Sequence, residues 1–518
     1  MKRSRTPAPE PKDFEGLLLS GDAVPESFSR ASGPFSFPPE SLAVPRNPED
    51  VRRLVSWARD EGRALVPRGA GTGMPGGNVG SGVVVDLAAH LGAIEEPDPA
   101  ARTVRVQAGA IAADIVARVE TAGLTFPALP SSARWCTIGG MIANNAAGAR
   151  SFRYGAVRDG VEALDVVLAD GTAATLSRSG APPKLPPLEE QLEALSRPES
   201  TRDILFDWPR VRKNSSGYAL DKYLTSGRLL DLLVGSEGTL ALVTGATLRL
   251  LPHPAERALV PIRARNASDI AVLIRGATTV GASACEFFGR RFMEIAGLVD
   301  DAGIAPFTRD AEALFLVEVD GPHEDVEEKI AELEKVAASL GSPRGVARTP
   351  AERDRLWQIR HAASPIVARQ AERGLISMQF IEDSVVPVER FPEYVEGVRR
   401  ILDGHGMDAV IFGHAGDGNA HVNPLVDVRL GNWRSRVRAV LEETVALVSG
   451  LGGTLSGEHG DGRVRAPFLS AIWGERMVKR FHEVKAAFDP AGILNPGVIL
   501  PLEGQDPLEG IGVRFPER

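Results

Sequence analysis

Apolar positions recur along this chain with two periods, and each period marks an element. From Asn47 the spacing of Val51, Leu54, Val55 and Ala58 describes one face of a helix. Asn47 stands as its N-cap, Pro48 at its first position, Glu49 and Asp50 in its first turn, and Gly62 just past its end. A short strand, Ala64-Leu65-Val66, follows, then strand-like runs at Val83-Val84-Val85 and Val104-Arg105-Val106 and a helix around 111–122 that stops near Gly123. Residues 178–212, rich in Pro, Arg and Glu, read as an insertion or surface excursion.

From about residue 255 the texture changes. Strand 258–263, helix 268–280 and strand 283–288 form one unit; strand 313–319 and a helix with Val326, Ile330, Leu333 and Ala337 on one face begin a second. Strands are expected at 409–412 and 420–425, and a helix from Phe481 to Asp489-Pro490. This is α+β texture, a sheet covered by helices on one side. The divisions expected are an extended arm over 1–40, a first domain over 41–255, a second over 256–440, and a C-terminal segment over 441–518 that completes the site.

Composition narrows the class. A chain of 518 residues exceeds one core, and 43% hydrophobic with 25% charged residues is ordinary globular composition. A net charge of -9 without a basic stripe argues against nucleic acid as a partner. No apolar run approaches the roughly 20 residues that span a bilayer, and the polar, proline-rich first 40 residues carry no leader-like apolar stretch. A cytoplasmic protein is expected. Cys136 and Cys285 are the only cysteines, which excludes a disulfide framework and an iron–sulfur cluster held by four cysteines of this chain.

The densest chemistry lies in Ile411-Phe412-Gly413-His414-Ala415-Gly416-Asp417-Gly418-Asn419-Ala420-His421-Val422-Asn423, followed by Gly457-Glu458-His459-Gly460-Asp461-Gly462. His414, His421 and Glu458 form a divalent-metal ligand set with open positions, leaving His459 to move a proton. On spacing alone these histidines are equally well core or surface residues. The loop Pro67-Arg68-Gly69-Ala70-Gly71-Thr72-Gly73-Met74-Pro75-Gly76-Gly77 follows a strand, so a dinucleotide fold must be tested. A Rossmann fingerprint needs its glycines to open a helix, whereas here the next element is the strand at Val83. What remains is a nest of backbone N–H groups suited to a pyrophosphate, or a plain surface turn. Two further small-residue segments stand beside it: Pro130-Ser131-Ser132 through Thr137-Ile138-Gly139-Gly140 and Asn145 to Tyr154-Gly155, and Gly235-Ser236-Glu237-Gly238-Thr239.

The order of these three motifs resembles the FAD-binding domain of the vanillyl-alcohol oxidase and p-cresol methylhydroxylase (PCMH-type) superfamily. The histidine and Gly-Glu-His-Gly motifs resemble its D-2-hydroxy-acid dehydrogenase branch, which includes D-lactate dehydrogenases, glycolate oxidase flavoprotein subunits and D-2-hydroxyglutarate dehydrogenases. The similarity covers roughly residues 40–500. It implies a two-subdomain PCMH-type FAD-binding domain and an α+β cap domain whose antiparallel sheet is covered by helices. The positions matching the FAD contacts are Arg68, Gly69, Ala70, Gly71, Thr72, Gly73, Ser131, Thr137, Gly139, Gly140, Asn145, Gly148, Tyr154, Gly155, Glu237, Gly238, Thr239 and Asn495. No histidine lies between Val66 and Asn78, so FAD is expected to be held non-covalently.

The same resemblance implies a metal, often zinc, on His414, His421 and Glu458. His459 matches the residue that takes the substrate hydroxyl proton, Asn423 a substrate-contacting amide, and Arg360 the arginine that grips the α-carboxylate. The alternative for Arg360 is a helix-surface arginine. Implied partners are a 2-hydroxy acid and an electron acceptor (quinone, cytochrome or electron-transfer flavoprotein), with a separate iron–sulfur subunit, a homodimer and peripheral attachment at the inner membrane left open. The pattern departs in Ser377-Met378-Gln379-Phe380-Ile381-Glu382-Asp383, where relatives acting on 2-hydroxyglutarate carry a lysine and this chain has none. Glu382 and Asp383 make a second carboxylate less welcome unless Arg369 or Arg373 reaches in, and the length of the substrate stays open. Two other readings stand beside this one: a metal-dependent hydrolase with merely structural glycine loops, and a non-catalytic flavoprotein subunit.

Overall fold

The computed structural model describes residues 10–512, and the first nine residues of the expected arm lie outside them. The half up to residue 255 is built on two four-stranded sheets, beside a short pairing of Leu124–Thr125 with Leu251–Pro252. In the first, Ser41–Val44 and Leu65–Arg68 flank Val83–Asp86 in parallel, and Leu17–Ser20 adds an antiparallel edge through Leu17↔Val44. Within the extended arm expected over 1–40, Leu17–Ser20 is a paired strand. The helix Pro48–Asp60 lies on this sheet by burying Val51, Leu54, Val55 and Ala58 against Leu65, Val83 and Val85. Its first turn is held as the sequence predicts, with the Asn47 side chain accepting from the Asp50 N–H.

The second sheet is antiparallel, in the order Thr103–Gln107, Ala241–Arg249, Val161–Leu168, Ala173–Ser177. The helices Ala112–Glu120 and Ile138–Asn144 pack on it. Residues 178–212 are no mere surface loop. They form the helices Pro186–Leu192 and Pro198–Asp207 and bury Leu188, Leu192, Leu195 and Ile204 in this same core.

The cap sheet has seven strands, all antiparallel. Its order is Glu256–Ala264, Ala313–Gly321, Ala284–Gly289, Ala409–His414, Asn419–Asp427 and Leu375–Ser377, with Ser384–Val385 also pairing onto Asn419–Asp427. Four long helices, Ala267–Thr279, His323–Ser339, Phe391–Gly404 and Trp433–Gly450, cover one face. The other face is closed as well, by the short helices Arg290–Ile295, Ala305–Thr308 and Ala363–Ala368 over Leu316, Val410 and Phe412, where helices on one side alone were expected. Burial on both faces explains why these strands read as unbroken apolar runs rather than alternating ones.

The chain then returns to the first half. The helical stretch Leu469–Phe488, two helices joined across a kink at Gly474, begins twelve residues earlier than its sequence signal, and buries Trp473, Met477, Phe481 and Val484 in the core of the second subdomain. Beyond it, Leu494 bridges Leu65 and completes the first sheet. This return carries residues 457–462 and Asn495 to the seam between the two halves.

Candidate active site

The hairpin Ala409–His414/Asn419–Asp427 sets the site. In its register Phe412 faces His421 and His414 faces Asn419. Gly413 and Gly418 let the strand end turn tightly, with Gly418 at φ +73. His414 Nε2 lies 3.2 Å, and His421 Nε2 3.3 Å, from the same Glu458 Oε1. All three side chains are buried.

The other nitrogen of each ring is committed. His414 Nδ1 donates to Glu286 Oε1 at 2.6 Å, and His421 Nδ1 donates to the Glu382 carbonyl at 3.0 Å. With the N–H on Nδ1, each Nε2 presents a lone pair, so three acceptors converge at close range. Among the described residues His421 Nε2 has no hydrogen-bond partner. While the rings are neutral these acceptors repel, and a buried nitrogen without a partner is costly. A divalent cation on His414, His421 and Glu458 removes both problems, and a two-imidazole, one-carboxylate set suits zinc. The residues present therefore fit the metal that the motif implies.

Around this centre lie groups that sequence reading missed. Lys213 Nζ donates to the other oxygen of Glu458 at 2.8 Å, fully buried. Burial pulls the Lys213 ammonium down, but Glu458 and Asp417 outweigh it and hold the charge. Glu286, on the strand Ala284–Gly289, joins His414 to Arg360, whose Nε reaches Glu286 Oε2 at 3.0 Å. Arg360 ends the helix Pro350–His361 with 9% of its side chain exposed and stands over the Phe412 ring, so it is not a surface arginine. Among the described residues its two terminal nitrogens make no hydrogen bond. Asn423 is buried between the His421 carbonyl and the Ser377 hydroxyl.

Glu382 and Asp383, expected to repel a second substrate carboxylate, are occupied otherwise. Asp383 Oδ2 accepts from the N–H groups of Gly457, Glu458 and His459 at 3.0, 3.0 and 2.8 Å. Glu382 takes His459 Nδ1 and Arg465. Burial pulls the His459 imidazole down, but Glu382, Asp383 and Glu458 prevail and push it up to about 9. His459 keeps 24% of its side chain exposed, unlike the buried His414, His421 and Glu458 beside it. Arg369 and Arg373 are exposed on a short 3-10 turn and neither bonds to a site residue.

The glycine segments meet one another at the seam. Gly69 packs so closely on the Thr137 hydroxyl that a side chain there would displace it. Among the described residues no protein oxygen accepts from the N–H groups of Gly69 to Gly73, and Gly69, Ala70, Thr72 and Gly73 keep access to solvent. That row of open donors fits a pyrophosphate. Arg68 instead folds back, bonding to the carbonyls of Asn78 and Ser27. In the second segment the donors are spent internally: Gly139 N–H on Ala108 and Gly140 N–H on the Thr137 hydroxyl. Ser131 is exposed, and Gly148 lies tight against the Leu129 carbonyl.

Asn145, Glu237 and Asn495 all take left-handed backbone conformations, with φ of 48, 51 and 43°. Such conformations cost energy in a residue other than glycine and cluster at functional sites. Asn495 Nδ2 clips the Gly77 and Glu237 carbonyls together, and Glu237 accepts from the N–H groups of Asp461 and Gly462. Thr239 shares its hydroxyl with Tyr218, next to Gly238 at φ +67. Tyr154, before Gly155, donates to Asp320 of the cap sheet at 2.7 Å, so it ties the two halves together.

Comparison with known proteins agrees with this geometry. Residues 39–177 match an FAD binding domain, and residues 259–499 match the C-terminal domain of FAD linked oxidases. A glycolate oxidase subunit (GlcD) of Bacillus subtilis is 31% identical, over 93% of this chain and 91% of its own length. A D-lactate dehydrogenase of Archaeoglobus fulgidus is 30% identical over 89% of this chain and 91% of that protein. A D-2-hydroxyglutarate dehydrogenase of Escherichia coli is also 30% identical over 96% of this chain, which spans only 52% of that longer protein. Among solved structures, a 4-ethylphenol oxidase of Gulosibacter chungangensis shares the fold with a TM-score of 0.66 at 16% identity, covering 94% of this chain and 95% of that one. The chain belongs to the FAD-linked oxidoreductases of the PCMH type, in their D-2-hydroxy-acid dehydrogenase branch.

Proposed function

We propose that the protein oxidises a D-2-hydroxy acid to the 2-oxo acid with the help of a divalent metal and passes the electrons to a quinone, a cytochrome or an electron-transfer flavoprotein. The observation that carries the metal is the convergence of His414 Nε2 and His421 Nε2 on Glu458 Oε1, at 3.2 and 3.3 Å, with both Nδ1 atoms engaged elsewhere. When bound, the cation supplies positive charge that acidifies a substrate hydroxyl and offsets the carboxylates around His459, while FAD accepts the α-hydrogen as hydride.

The chain's own groups do the rest. Arg360, braced at Nε by Glu286, offers its two free terminal nitrogens to the α-carboxylate. Asn423 supplies an amide beside His421. His459 Nε2 takes the hydroxyl proton as the C–H bond breaks and the carbonyl forms. The relatives' names, glycolate oxidase, D-lactate dehydrogenase and D-2-hydroxyglutarate dehydrogenase, support the substrate class. Its tail is read from the cations nearby. Lys213 is taken by Glu458 and Arg465 by Glu382, while Arg369 and Arg373 point to solvent, which supports an uncharged tail such as that of lactate or glycolate. A hydrolase reading leaves the FAD binding domain without a use, and a non-catalytic subunit would not need the complete ligand set.

A panel of D-lactate, glycolate and D-2-hydroxyglutarate with a dye acceptor, run beside metal analysis of the purified protein, tests the reading. Turnover of one acid with about one divalent metal per chain is expected. Dye reduction unaffected by full metal removal would overturn the metal's part, and no reduction with any of the three would overturn the substrate class.

A further inference from the structure

His459 is not free to choose its orientation. Its Nδ1 faces both oxygens of Glu382, at 2.9 and 2.7 Å, and a carboxylate can only accept there. The proton of the neutral ring is thereby fixed on Nδ1, leaving Nε2 with the lone pair on the side of Glu458, 3.7 Å from Glu458 Oε1. The ring is steadied further by stacking on His421, with centroids 5.3 Å apart.

Glu382 is itself locked in place. It is buried, and Arg465 Nη2 donates to its Oε1 at 2.5 Å. Arg465 is buried too, and its other terminal nitrogen donates to the Gly460 carbonyl, one residue past His459. The backbone of Gly457 to His459 is pinned from below by Asp383 Oδ2. One pair of adjacent carboxylates thus holds both the main chain and the ring of His459. Both oxygens of Glu382 are engaged by these groups.

We infer that Glu382 is a positioning residue for the reaction: together with Arg465 it fixes the tautomer and aim of His459, so that Nε2 is the atom that receives the substrate hydroxyl proton. The logic is that of a carboxylate behind a catalytic histidine in hydrolases, where the carboxylate orients the imidazole and stabilises its protonated form without itself taking the proton. This inference rests on the reading of His459 as the proton acceptor.

A double-mutant cycle on the flavin- and metal-loaded protein separates the two ideas. His459→Asn, Glu382→Gln and the double variant are compared with wild type for kcat and KM, using the acid that wild type turns over fastest in the panel above. Each variant is first matched for flavin content, metal content and melting temperature. His459→Asn should lower kcat about 10²–10⁴-fold. Glu382→Gln should lower kcat on the order of 10²-fold with KM changed less than about 3-fold, because the carboxamide can present its NH2 to Nδ1 and select the wrong tautomer. In the double variant the Glu382→Gln loss should vanish, since no imidazole is left to aim. Wild-type turnover in His459→Asn would overturn the proton-acceptor reading itself. If His459→Asn is crippled but Glu382→Gln keeps wild-type kcat, or the two losses multiply in the double variant, the role of Glu382 is overturned and the reading of His459 stands. Should Glu382→Gln fail to accumulate with flavin and metal, Glu382→Asp, which keeps the charge facing Arg465, enters the same cycle under the same criteria.

Discussion

Glu286 joins two parts of the site: one oxygen receives His414 Nδ1 at 2.6 Å and the other receives Arg360 Nε at 3.0 Å. Burial alone would raise this carboxylate, but His414 and Arg360 prevail and lower it. The proposed metal ligand His414 and the proposed carboxylate grip Arg360 are therefore both braced by one side chain of the cap sheet.

Glu286→Gln tests that coupling. The amide weakens the bond that orients His414 and lowers its basicity, and changes of this kind behind a ligand cost roughly 10–100-fold in metal affinity. Competition with a chromophoric chelator should show that loss, along with a raised KM from the loosened Arg360. An unchanged metal affinity would mean that His414 is oriented by its strand alone.

His414→Ala and His421→Ala should each remove the metal and the activity while leaving the flavin absorbance near 450 nm, a general property of flavins, almost intact. The reason is spatial, because these ligands sit on the cap hairpin and the open glycine loop belongs to the other half of the chain. Full turnover in both variants after chelation would sink the metal assignment.

FAD should come away from the protein on acid precipitation and colour the supernatant. The first loop has no histidine, and Cys136, the thiol nearest the second segment, is buried and pushed up to about 11, far from the reactive thiolate a covalent link requires. Colour retained in the pellet would contradict this.

Much of this arrangement is legible in the sequence, and the exceptions share a cause. The helix Pro48–Asp60 carries its own cap, proline and apolar stripe, so its signal is local. Leu17–Ser20 carries none, and becomes a strand only by pairing with Ser41–Val44 across the intervening turns. The helix Leu469–Phe488 was recognisable only from Phe481, because Gly474 at φ +70 breaks its pattern. At the site, His414, His421 and Glu458 stand out by type and glycine surroundings. Lys213, Glu286 and Arg465 do not, because each is an ordinary charged residue in its own segment and gains meaning only where three remote segments meet. Glu382 and Asp383 were legible for the opposite reason, by their charge, whereas the His459 ring, the Arg465 guanidinium and the backbone N–H groups that engage it were not.

Arg360→Lys should cost about 10-fold or more in kcat/KM, about 1.4 kcal/mol. A guanidinium can give Nε to Glu286 and keep two parallel donors for a substrate carboxylate, whereas a single ammonium cannot serve both geometries. Unchanged steady-state kinetics would show that the carboxylate is held elsewhere.

Glu237 predicts a pH dependence of stability. Burial, with the Asp461 carboxyl beside it, pushes Glu237 up to about 8 against the N–H groups of Gly462 and Asp461 that pull it down. Asp461 is itself raised by burial to about 6. A carboxyl whose pKa is higher folded than unfolded is favoured in its neutral form by the fold. Its stabilising contribution is complete below the ordinary carboxyl pKa of about 4.3 and is lost as pH rises towards 8, with a limiting slope of about 1.4 kcal/mol per pH unit for one proton. Gln at this position mimics the neutral acid, and its carbonyl can still accept the Asp461 N–H that Glu237 Oε1 takes at 2.7 Å. The melting temperature of Glu237→Gln should therefore match wild type near pH 5 and exceed it near pH 8, in scans at constant protein and FAD concentration. Parallel curves for the two proteins across that range would show that Glu237 is already ionised in the folded state, balanced by the backbone donors and by Arg465.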